Sequence, residues 1–131
     1  MRNTARITTV FASLSVVAAL AGTPASWAAD APKGDPIPEG ATTVEKGKIV
    51  AFDRVKGNCL SCHEIAGGSL PGNIGPALVG VQARFPDKAK LRAQIYDSTV
   101  TNPNSIMPPF GRHGILSDEE IDWITEYVHT L

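Results

Sequence analysis

The chain has 131 residues, 12 of them basic and 13 acidic, for a formal net charge of −1. That balance excludes the electrostatic grip on phosphates that nucleic-acid binding needs, so no nucleic acid is expected as a partner. The length suits a leader and a single domain, and with aromatics at 6% its side chains alone make a thin core.

In chain order the first predicted element is a secretory signal peptide over 1–28. Arg2 and Arg6 precede an apolar run from Ile7 to Ala21, and Ser26-Trp27-Ala28 has the small-bulky-small pattern of a cleavage site. The run is shorter than the ~20 residues of a spanning helix. Cleavage after Ala28 is expected to release the chain into the periplasm with no membrane segment. No cysteine lies near the cut to carry a lipid. Residues 29–41, with Pro32, Pro36, Pro38, Gly34 and Gly40, read as an extended arm.

Residues 42–131 form the predicted domain. Thr42-x-x-Glu45 is a capping-box pattern, so a helix is expected after Thr42, with Val44, Ala51, Phe52 and Val55 on its apolar side and Gly57-Asn58 at its end. Cys59-Leu60-Ser61-Cys62-His63 follows at once. Two thiols and an imidazole at this spacing are the attachment pattern of a c-type haem. The sulfurs of Cys59 and Cys62 can reach two vinyl groups while His63 turns to the iron. These are the only cysteines, so none remains for a second site, and one covalent haem c is predicted. A thioredoxin-like thiol pair needs a strand and a βαβ frame, and a zinc site needs further ligands; neither is visible.

Ile65 to Gly80 holds five glycines and two prolines and reads as loop. Within it, Gly75 and Pro76 are expected to pass the haem face. Pro76 offers a carbonyl to fix the His63 ring, although Gly-Pro also reads simply as a turn. A short helix begins at Pro86 or Asp87, with Leu91 and Ile95 inward. Thr99 to His113 is loop again, and it holds Met107, the only methionine beyond the leader, ahead of Pro108 and Pro109. A stiff mount of this kind suits a weak thioether ligand better than core filling, so Met107 is the expected distal iron ligand and His113 the alternative. Ser117-Asp118-Glu119-Glu120 is a second capping box. Ile121, Ile124, Val128 and Leu131 recur behind it at helical spacing, and His129 is expected as a solvated group in the last turn. No segment alternates with a period of two, so the fold class is all-α.

Ligation by His63 and Met107 fills both axial positions, favours ferrous iron and points to outer-sphere electron transfer. Basic residues Lys46, Lys48, Arg54 and Lys56, then Arg84, Lys88, Lys90 and Arg92, contrast with Asp118, Glu119, Glu120, Asp122 and Glu126. Solvated helix faces give that contrast, and so does docking polarity.

With the haem motif and Met107 placed, Thr42 to Leu131 resembles a class I cytochrome c fold, several helices around one covalently bound haem. The resemblance implies that the first and last helices cross near the haem edge, Gly47 or Ala51 meeting Trp123 or Tyr127. Three blocks are similar to the SoxX family, the monohaem subunits of the SoxAX cytochrome of periplasmic thiosulfate oxidation. They are Lys56-Gly57-Asn58-Cys59-Leu60-Ser61-Cys62-His63, Leu70-Pro71-Gly72-Asn73-Ile74-Gly75-Pro76, and Met107 to Leu116. This likeness implies a heterodimer with a SoxA-like haem subunit, which carries L-cysteine S-thiosulfotransferase chemistry on a carrier-protein cysteine. The present chain would accept electrons and pass them to a downstream soluble cytochrome c. A free-standing electron shuttle, and a haem enzyme or gas sensor, are the alternatives.

Overall fold

The computed structural model describes residues 34–131. The signal peptide expected over 1–28 and the first part of the arm lie outside the described residues. Four α-helices and two 3-10 turns make up the described part, and no strand is found among those residues. No helix among them is long and apolar enough to cross a membrane.

Helix α1 spans Thr43–Phe52. Extended backbone at Thr42 lets its hydroxyl accept from the Glu45 amide at 3.3 Å, while the Glu45 carboxylate accepts from the Thr42 amide at 2.8 Å. The helix stops at Phe52, one turn before Gly57-Asn58, because Asp53 turns the chain. Its buried carboxylate accepts from the amides of Val55 at 2.7 Å and Lys56 at 3.3 Å, and also from Asp35 in the arm. The inward residues of α1 are Gly47, Val50 and Ala51. Val44, in the first turn, and Val55, past the end, are 38% and 45% exposed, unlike the apolar side expected for them. Ile37 of the arm packs against the core.

Helix α2, Val81–Arg84, is a single turn that the sequence pattern did not announce, tied to the chain end by the Val81 amide donating to the Leu131 carbonyl at 2.8 Å. Helix α3, Lys88–Tyr96, starts on the Asp87 side chain, which accepts from the Ala89 amide at 2.9 Å, and turns Leu91 and Ile95 inward. Helix α4, Asp118–His129, opens on the reciprocal pair between Ser117 and Glu120, with three acids in the first turn, where the dipole favours them. It buries Ile121, Ile124, Tyr127 and Val128.

Helices α1 and α4 cross at Gly47. A Cβ there would lie 1.9 Å from the Trp123 carbonyl oxygen and 2.8 Å from the Tyr127 Cβ, so only a hydrogen fits. Phe52 meets Tyr127 edge-on with centroids 6.4 Å apart, and the Lys46 ammonium sits 4.8 Å over the Trp123 ring. This is the crossing that the class I likeness implied. Most of the acidic face of α4 is matched within the chain. Arg92 on α3 reaches both Asp118 and Asp122, Lys88 meets Glu126 at 2.6 Å, and Lys56 meets Glu120 at 2.8 Å.

His129 corrects an expectation. It is buried rather than solvated, and its Nε2 pairs with the Phe85 carbonyl at 3.1 Å. The last turn of α4 is covered by α2 and the segment after it, so the ring finds a backbone partner instead of water.

Candidate haem site

Between α1's exit, α3, α4 and the two long loops lies a cavity of about 750 Å³, well within the range of about 300–1,000 Å³ typical of cofactor pockets. Its apolar wall comes from core residues, including Val81, Leu91, Ile95, Phe110, Leu116 and Ile124. One side is the haem motif. Asn58 takes the left-handed conformation (φ 45°, ψ 37°), which asparagine tolerates, and so turns the chain into a 3-10 turn over Cys59–Ser61. The His63 amide then donates to the Cys59 carbonyl at 2.9 Å, closing one turn that holds both sulfurs and the imidazole together. Cys59, Cys62 and His63 all line the cavity.

The loop expected to pass this face does so. The Gly75 amide donates to the Cys62 carbonyl at 2.8 Å, and a Cβ on Gly75 would lie 2.4 Å from the His63 ring, so the backbone presses directly on the imidazole. His63 Nδ1 lies 2.7 Å from the Pro76 carbonyl. A carbonyl only accepts, so Nδ1 carries a proton, and Nε2 is the ring nitrogen left to face a metal. The donor set therefore fits a haem: two thiols, an oriented imidazole and an apolar slot of suitable size.

Met107 lines the same cavity, half-buried, on the loop after α3. His113, the alternative ligand, is exposed and lies outside the cavity lining. Phe110, between the two in sequence, is buried in the cavity wall. Neither Ser98 nor Ser105 stood out in the sequence, yet their hydroxyls hold the backbone of Met107. Two serines seven residues apart in a loop carry no recognisable spacing.

The two cysteines are not joined to each other. Burial pushes the Cys59 thiol up to about 11, the Cys62 charge adding to the effect, so the group stays protonated. A redox-active Cys-x-x-Cys pair has its thiol lowered instead. With no strand among the described residues, the thioredoxin-like alternative has neither the frame nor the reactivity.

A helical shell around an apolar slot, entered by two thiols and an imidazole from one turn, defines a c-type cytochrome domain with the class I fold. Residues 44–128 match the family described as cytochrome c oxidase, cbb3-type, subunit III, and the chain belongs to that family. Haem c binding and electron transport follow from that membership. The chain is also similar to an uncharacterized lipoprotein of Aquifex aeolicus (strain VF5), at 40% identity over 75 residues. That stretch is 56% of this chain and 36% of the relative, so the chain matches only about a third of the relative's length.

Proposed function

We propose that this chain is a periplasmic monohaem cytochrome c and the electron-accepting subunit of a SoxAX-type complex. In this reading Cys59 and Cys62 form the thioether links, His63 and Met107 are the axial iron ligands, and Gly75 and Pro76 orient the His63 ring. A haem held there supplies a one-electron ferric/ferrous couple at a potential raised by the thioether. The observation that carries the electron-transfer part is the joint presence of His63 and Met107 on one apolar cavity, with Nδ1 of His63 already committed to Pro76. Both cysteines belong to the haem motif, so the chain keeps no thiol for sulfur chemistry, which falls to a SoxA-like haem partner. The three motif blocks support that partner, and a downstream soluble cytochrome c takes the electrons onward. Covalent attachment at such a motif, together with the signal peptide expected over 1–28, supports a location outside the cytoplasm.

A free-standing electron shuttle is the second reading. It is favoured by the internal pairing of Lys56, Lys88 and Arg92 with α4, which uses most of that helix's acidic face within the chain.

Two measurements test this. Met107→Ala is expected to turn a low-spin ferrous spectrum into one that responds rapidly to carbon monoxide; an unchanged spectrum overturns the ligand assignment. Co-expression with a SoxA-like protein is expected to yield a tight heterodimer that reduces a cytochrome in the presence of thiosulfate and a carrier protein with a free cysteine thiol. A monodisperse monomer indifferent to that protein leaves the shuttle.

A further inference from the structure

We propose that Ser98 and Ser105 are positioning residues that hold the Met107 thioether in place through a closed ring of hydrogen bonds to the Met107 backbone. The inference rests on the reading of Met107 as an iron ligand.

A thioether binds iron weakly, so the loop that carries it must supply much of the geometry. This loop is poorly equipped to brace itself, because Pro108 and Pro109 contribute no amide donors. The bracing comes from side chains instead. The Met107 amide donates to Ser105 Oγ at 3.3 Å, Ser98 Oγ lies 3.2 Å from the Met107 carbonyl, and the two hydroxyls are 2.7 Å apart. Each hydroxyl has a single proton. One arrangement satisfies all four groups: Met107 N–H to Ser105, Ser105 O–H to Ser98, and Ser98 O–H to the Met107 carbonyl. Chains of this kind polarise one another, and this one closes on a single residue.

Both serines are themselves fixed. Ser98 is fully buried at the start of the second 3-10 turn, Ser98–Val100. Its carbonyl accepts from the Asn102 amide at 3.0 Å and the Thr101 hydroxyl at 3.2 Å. Asp97 caps the same turn by accepting from the Thr99 amide at 3.0 Å, and its other oxygen meets Arg112, beyond Met107, at 3.2 Å. The Ser105 amide donates to the Asn102 carbonyl at 2.9 Å, and the Gly111 amide donates to the Tyr96 carbonyl at 3.0 Å. The loop is thus clamped at both ends, and the serine ring sets the residue between the clamps.

The test uses holoprotein and free imidazole as a probe that competes with the thioether for ferric iron. Ser98→Ala and Ser105→Ala are each expected to raise the ferric affinity for imidazole about tenfold, the scale of leaving one buried polar group unpaired. Both should also weaken the sulfur-to-iron charge-transfer band. Ser105→Thr, which keeps the hydroxyl, should behave as the unmodified protein. Thr125→Ala is the control, since it removes a buried hydroxyl bond to the Ile121 carbonyl (2.7 Å) on α4, away from the Met107 loop. It should lower the thermal midpoint but leave imidazole affinity and the band unmoved. Should Ser98→Ala fail to fold, Ser105→Ala at its half-buried position decides alone. Unmodified affinity and band in the serine variants overturn the proposal, as does an equal response in Thr125→Ala. An unmodified protein that lacks the band fails the ligand assignment itself, and the serine role falls with it.

Discussion

Gly75 is where a single atom decides the geometry of the site. The hydrogen bond from His63 Nδ1 to the Pro76 carbonyl keeps the ring oriented and its other nitrogen basic. That bond exists only because the preceding residue has no side chain to push the ring away. Gly75→Ala is expected to tilt the ring or drive the loop back, losing the bond either way. Two outcomes follow: a stability loss of about 1–3 kcal/mol in thermal unfolding, and a higher reduction potential in redox titration, because a less basic imidazole stabilises ferric iron less. An unchanged potential would mean that the loop absorbs the methyl group with the bond intact. At this scale much of the site was legible. Cys59, Cys62 and His63 are neighbours in sequence, and Pro76 stood out as a carbonyl able to accept from the His63 ring in a loop expected to pass it. Ser98 and Ser105 were not legible, because hydroxyls in loops are common and their meaning comes only from what the fold places beside them.

At the scale of elements, both capping boxes announced their helices correctly, since a cap is a local interaction among four residues and needs no tertiary context. Helix ends and buried faces were less legible. The exit of α1 depends on Asp53 gathering amides from two separate segments, and α2 is too short to carry a periodic signal. Burial of His129 depends on what covers the end of α4, which no local pattern reveals. The α1–α4 crossing is the firmest contact between elements, and Gly47 sets its distance. An added methyl group meets backbone there, at the Trp123 carbonyl, which cannot swing aside as a side chain could. Gly47→Ala is therefore expected to cost about 3 kcal/mol, the upper part of the overpacking range. For a domain of this size that lowers the thermal midpoint by roughly 12–24 °C. The visible spectrum should survive at low temperature, because Gly47 lies outside the cavity lining.

For the whole molecule, the decisive relation is between the core and the cavity. Val81, Leu91, Ile95, Phe110, Leu116, Ile124 and Val128 are core residues, and all of them also face the slot. The described domain has no second core that could stand without a filling. Without a filling, this apolar lining faces water that enters the slot, which costs about 25 cal/mol for every Å² left wet. A typical domain has only about 5–15 kcal/mol of stability in total to lose. The low aromatic content of the sequence foreshadowed this need for a large rigid insert, although composition could not indicate which residues would surround it. The expected consequence is that polypeptide made without haem attachment does not reach this fold. Cys59→Ala/Cys62→Ala protein, purified free of haem, should show helical far-ultraviolet circular dichroism well below that of the holoprotein. It should also bind a hydrophobic dye and unfold without a cooperative calorimetric transition. A sharp transition with native helix content in that variant would mean that the helices close on each other unaided, and the haem would then be an addition to a finished core rather than its centre.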